Sequence, residues 1–588
     1  MHKNILKLLE TNQIPLVVFF SSLFIFLSFA STRLFISDDA ITLTQMHNLI
    51  RGSLSFETLK VSMEGVIEGL EGPVLISGNH VYGKYSYSLI FLSLPFYYIL
   101  KLTDYLYNAH IFLLQLWALS GGIIAYLIVK NSYLKHAKLA GVISYFILIL
   151  SNTYFLKPIY FPVWGELLSI EFTNILISSF LVLFVYLFFK NFFSNKIAMF
   201  ASFFVIFATP ISFYAVTLKH HSLSLLLTVL AFYFFYKYQK DKNNRYIYLS
   251  YVLAALTVWT RVLDGAVLLL SLLIIDMAVC RRSIKYFVSI LIIILISLMP
   301  FFSFNYLILG SPFSIIELTP SSEESIMIPP SEDFIDLVLE YPENQKPSEL
   351  LQELGYSWND VEIRDDWLSI LLYITFLKLN NTFGVFSISP FLVISLAFVI
   401  YRIKCNIKLN TIDKFFGLYT LLLVIPHKNY LMSIITHTPQ VFDYRYLLVL
   451  YIILLYFALR INKVKDLIEN KLKAIIFLYS SILIIISIYF IKEFPVPFAD
   501  IYYYTALITS LSLIILLSVS FFVRNKSYVT ALLDNLIIFF IALSLSLASF
   551  FLLFYYLIFN IGYISPSQNH AILPILDNLI KWMYQMII

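Results

Sequence analysis

Apolar runs that read as membrane crossings, those on either side of Arg261 being short for one, recur along the whole chain, separated by short polar breaks that hold most of its lysines and arginines. After a first run at 15–30, spans are expected at about 109–129, 139–157, 167–189, 197–214, 222–238, 247–260, 264–280 and 286–308. A second set is expected at about 384–403, 414–426, 446–461, 473–491, 501–522 and 535–558. The apolar run at 85–102 reads differently. A crossing there would carry the lysines of the 130–138 loop to the outside, so it is expected to be a juxtamembrane or re-entrant helix. The pattern predicts an all-α polytopic membrane protein, a bundle of about 13–15 transmembrane helices with juxtamembrane helices and one larger external loop.

Composition agrees. With 60% hydrophobic and 13% charged residues and a mean hydropathy of +0.84, a water-soluble globule of this length is excluded. The net charge of +5 does not indicate nucleic acid, because Lys190 to Lys196, Lys237 to Arg245 and Arg281-Arg282 with Lys285 punctuate the spans as cytosolic loops do. Cys280 and Cys405 both adjoin basic residues, which argues against a disulfide or a thiolate metal site. The N-terminus reads as cytosolic and the first span as uncleaved, in the plasma membrane. Three parts are expected: 1–310, a membrane module with a first external loop at 34–84; 311–367, an acidic external loop; and 368–588, further spans ending in an interfacial helix, Ile575 to Ile588.

Candidate chemistry begins at Ser37-Asp38-Asp39, just beyond the first span. The following residues to Arg51 are apolar at Leu43, Met46, Leu49 and Ile50, one face of a helix that Ser37 can cap and Gly52 can end. Two readings are open for the acids: they favour the positive end of the helix dipole, or they perform chemistry at the headgroup level. Other polar residues expected at the outer face are Glu166, His80, Lys84, Lys219, His220, His221, Arg261 and Arg445. Cations can hold a departing phosphate while an ionised carboxylate takes a proton. Each has a plainer alternative. His220, His221 and Arg445 suit interface anchors, and Glu166 suits a helix-start acid. Arg261 lies between two short spans, where a recessed mouth is expected, and a charge at that depth favours a phosphate or carboxylate partner. No nucleotide-binding loop is present, so an activated donor must come from the membrane.

The acidic pair after a first span, with its helix ending at Gly52, resembles the start of the GT-C membrane glycosyltransferases, the group of protein O-mannosyltransferases and bacterial aminoarabinose transferases. Tyr82-Gly83-Lys84-Tyr85 ahead of a helix with Pro95, Leu309-Gly310-Ser311-Pro312-Phe313, Phe383-Gly384-Val385-Phe386-Ser387-Ile388-Ser389-Pro390, and Tyr444-Arg445-Tyr446 are similar to pieces of microbial members. The resemblance implies a polyprenyl-phosphate-linked sugar donor, an acceptor lipid, glycan or protein on the external face, and inversion at the sugar carbon. It places Asp38 or Asp39 as base, Asp38 first, with Asp39 orienting the acceptor or holding a divalent cation. Arg261, Lys84, His221 and Arg445 are the expected phosphate ligands. Membrane lipids are the surrounding partners and no nucleic acid is expected. Two other classes compete. A transporter or flippase would show inverted repeats, which the unlike halves do not. A lipid-linked polymer ligase or polymerase would carry its long external loop late and rely on Arg and His.

Overall fold

The computed structural model describes residues 13–32, 34, 37–61, 74–131, 136–278, 284–316, 319, 330–335, 367–379, 382–437, 445–492, 498–523, 527–562 and 571–578. It is almost wholly helical, with three two-stranded ladders. At its centre stands the helix Phe161–Phe189, predominantly apolar, with no distinct polar face, and buried over most of its length. A helix of this kind belongs inside a bundle. Here it packs against Gln13–Phe29, Ser88–Leu106, Asn195–Phe207 and His221–Asp241. One apolar core runs from Val18 through to Leu573.

The span count departs from the expected 13–15. Among the described residues six helices are long and apolar enough to cross a membrane, or seven if the pair Lys285–Ser297 and Met299–Leu309, bent by 44°, counts as one. Each expected run nevertheless contains helix among its described residues. The difference lies in length: Gln13–Phe29 and Ala137–Thr153 have 17 residues each, which rise about 26 Å, a little under a hydrocarbon layer of about 30 Å. Prolines break others. Pro210 ends the 197–214 run at Phe207 and starts the short helix Ile211–Tyr214, and Pro390 turns the start of the 384–403 run into a 3-10 segment, Pro390–Val393.

The helix Ser88–Leu106 is one of the six. At its start the Ser86 hydroxyl donates to the Trp259 carbonyl at 2.6 Å. Just past its end, His110 donates through Nε2 to the Ile572 carbonyl at 2.8 Å and accepts from the Ile159 amide at 3.3 Å. Its neighbours Phe96 and Tyr97 meet Phe172 and Phe161, positions about 16 Å apart along the long helix. This helix packs closely against Phe161–Phe189, and its length and apolar composition are those of a span, where the sequence predicts a juxtamembrane or re-entrant helix.

One end of the bundle gathers both polar loops. Strand Leu59–Val61 pairs in parallel with Pro330–Ile335, which puts the first loop and the acidic loop together; the remaining acids of 311–367, and Glu64, Glu68 and Glu71, lie outside the described residues. Residues 571–578 return to this end too, Ile572 donating to the Ala30 carbonyl at 2.8 Å. Only 575–578 of the expected C-terminal interfacial helix is described. Of the two cysteines, Cys280 is outside the described residues and Cys405 is exposed.

Candidate active site

The expected helix after the first span forms as Ser37–Ile50, and Gly52 leaves it with φ of +91°, a left-handed turn that favours glycine. Leu43 and Met46 bury one face in the main core, while Ile41 joins Phe56, Val74 and Val81 in a small cluster under the hairpin Val74–Ser77/His80–Gly83. Asp39 is fully buried. The Asp38 side chain lies outside what is described. Gln45 fastens this helix to the strand end: its amide donates to the carbonyls of Gly83 at 3.3 Å and Tyr85 at 3.0 Å. A Cβ at position 83 would come within 2.6 Å of Gln45, which explains the glycine.

From Tyr85 a chain of ring and cation contacts runs inward. The Lys219 ammonium lies 4.5 Å from the Tyr85 ring centre, and the His220 ring 6.0 Å from it. The turn carrying Lys219 is held from the central helix by Asn174, whose amide nitrogen reaches the carbonyls of Tyr214, Thr217 and Lys219 at 3.0, 2.8 and 2.9 Å. His221 opens the helix His221–Asp241 and meets Tyr214 and Tyr446 edge-on at 5.0 and 5.7 Å. The other face of this group is Arg261, 4.3 Å over the Tyr446 ring.

Arg261 occupies a break between the helices Asn244–Thr260 and Val262–Ala278, where its backbone is extended. It donates to Asp264 at 2.8 Å, and Asp264 also accepts from the Ser224 hydroxyl at 3.2 Å. Lys219, His221, Arg261 and Asp264 are all buried. Lys84 lines a cavity whose wall also includes Trp259 and Val262, either side of Arg261. Burial holds its ammonium below the usual lysine range. Tyr87, also in that wall, has its phenol pushed upward by burial.

Of the residues read from sequence, the fold therefore brings together Lys219, His220, His221 and Arg261, with Lys84 alongside. Glu166 sits elsewhere, against His47 at 3.1 Å and Lys60 at 3.5 Å. His80 is exposed on the hairpin. Arg445 starts a short 3-10 turn and its side chain is outside the described residues, whereas its neighbour Tyr446 is part of the site. Among the described residues no group of three or more His, Cys, Asp or Glu is placed to hold a metal ion. Sequence reasoning gave no role to Asp264, Tyr446, Tyr85, Asn174 or His47, although Tyr85 and Tyr446 stand in pieces that resemble microbial members. Of the other three only Asp264 left a readable signal, an acid one helical turn after the arginine.

Residues 164–304 match the model of a family described as dolichyl-phosphate-mannose-protein mannosyltransferase. The match supports a membrane glycosyltransferase of the GT-C type. It covers about a quarter of the chain and takes in Glu166, Asn174, Lys219 to His221, Arg261 and Asp264; Asp38 and Asp39 precede it. No curated protein and no solved structure matches the chain significantly. In a glycosyltransferase supplied by a lipid-linked donor, buried cations at one end of a helical bundle are a setting for the phosphate that links lipid to sugar.

Proposed function

We propose that this protein transfers a sugar from a polyprenyl-phosphate donor to an acceptor hydroxyl at the external face of the plasma membrane, with inversion and with a carboxylate of the Asp38-Asp39 pair as base. The acceptor oxygen attacks the anomeric carbon, the bond from that carbon to the phosphate oxygen breaks, and the acceptor proton passes to the carboxylate. Polyprenyl phosphate leaves. Arg261, Lys219 and His221 bind the phosphate and Lys84 flanks them, while the full burial of Asp39 suits it to orienting the acceptor and leaves Asp38 as first choice for base. The observation that carries the reading is the tie from the acid-bearing helix, through Gln45, to the backbone of the tyrosine on whose ring Lys219 rests.

Single Asp38→Asn and Asp39→Asn variants test it. Asparagine keeps volume and much of the hydrogen bonding but cannot take a proton, so transfer from a polyprenyl-phosphate sugar should fall about 10²–10⁴-fold in the base variant while the protein still folds. If the pair merely stabilises the helix start, both variants lose about 0.3–1 kcal/mol of stability and little activity. Two variants within a few-fold of the parent would overturn the assignment.

A further inference from the structure

His47 and Glu166 form a buried contact apart from the cation cluster, Nδ1 to Oε1 at 3.1 Å. Arg51 meets the other ring nitrogen, Nε2. The carboxylate of Glu166 offers acceptors only, so His47 donates to it through Nδ1. The second carboxylate oxygen of Glu166 faces the Lys60 ammonium at 3.5 Å, and Lys60 also approaches the Pro162 carbonyl at 3.5 Å. Three elements meet at this carboxylate: the acid-bearing helix, the strand after it, and the central helix Phe161–Phe189.

That central helix carries a second anchor. Asn174, eight residues beyond Glu166 and so about 12 Å along the axis, holds the turn that presents Lys219. Glu166 thus fixes the helix of the acids and Asn174 fixes the loop of the cations, both from one rigid rod. On the acid-bearing helix, Gln45 and His47 lie about 200° apart around the axis, so their bonds restrain it from opposite sides. Resting on the function proposed above, we infer that His47 and Glu166 are positioning residues that set the distance from the acidic pair to the phosphate site. Glu166 is then neither acid nor base.

Steady-state kinetics on the full-length protein test this. His47→Ala should lower kcat about tenfold to a hundredfold, since a displacement of about 1 Å from a productive geometry costs that much, and leave the donor KM within about twofold. His47→Asn should recover most of the rate, because its amide nitrogen takes the place of Nδ1 and donates to Glu166. Glu166→Gln still offers an acceptor to His47 and should stay within a few-fold of the parent, whereas loss of an acid or base would cost about 10²–10⁴-fold. Where His47→Ala fails to fold, the Asn and Gln variants decide. A normal kcat in His47→Ala, a loss expressed in donor KM, or an inactive but folded Glu166→Gln overturns the inference. Full activity in both Asp38→Asn and Asp39→Asn would instead overturn the proposed base, whatever His47 does.

Discussion

The Arg261 guanidinium carbon lies 4.3 Å from the centre of the Tyr446 ring, within range for cation–π attraction, while Nη1 donates to Asp264 at 2.8 Å. In the function proposed above, the remaining donors of this fixed fork are the ones that engage the donor phosphate. A guanidinium can engage a carboxylate, a ring and a phosphate at once, and an ammonium cannot.

Arg261→Lys keeps the charge but gives up the fork and the stacking. Donor affinity should fall about tenfold or more, the worth of one hydrogen bond to a charged group, with the acceptor KM little changed. Titrating a polyprenyl-phosphate sugar into the two proteins measures it; equal affinities would leave Arg261 a purely structural role.

Lys84 gives the site a dependence on alkaline pH. Burial disfavours its charged form, so the folded chain releases this proton below the unfolded value of 10.5. Below the folded pKa the burial penalty is present in full, and it is relieved as pH rises from there towards 10.5, so this residue's contribution to stability increases over that window. Donor binding, if Lys84 attracts the phosphate as proposed, runs the other way: its ammonium disappears over the same rise. Donor KM should therefore climb on the alkaline side in the parent and stay flat in Lys84→Arg, whose guanidinium remains charged. The same climb in both proteins would show that another group titrates.

Gly265 lets the two helices around Arg261 close on one another. A Cβ there would lie 2.1 Å from the Val258 amide nitrogen and 2.5 Å from its Cα, backbone atoms that cannot swing away. Gly265→Ala should cost about 1–3 kcal/mol or more in stability and weaken donor binding together with it, because the break carrying Arg261 must open. Thermal unfolding in detergent with and without donor checks both; an unchanged midpoint would mean that the helices can separate freely.

The apolar runs, the punctuating prolines and the helix that starts at Ser37 and stops before Gly52 are local properties, fixed by side chains within a few residues of each other, and the sequence determined them by itself. The recurrence of acids and cations at the ends of the same runs is equally local and was legible in the same way. How many runs are long enough to cross was harder to see, since hydropathy does not register where Pro210 or Pro390 shortens a helix. Only the tertiary structure decided which polar residues meet. Glu166 and His47 are 119 positions apart, and the partner that lies over the Arg261 face is Tyr446 rather than any neighbour in the chain. Such pairs follow from how helices cross and which faces they bury, and no local pattern encodes that.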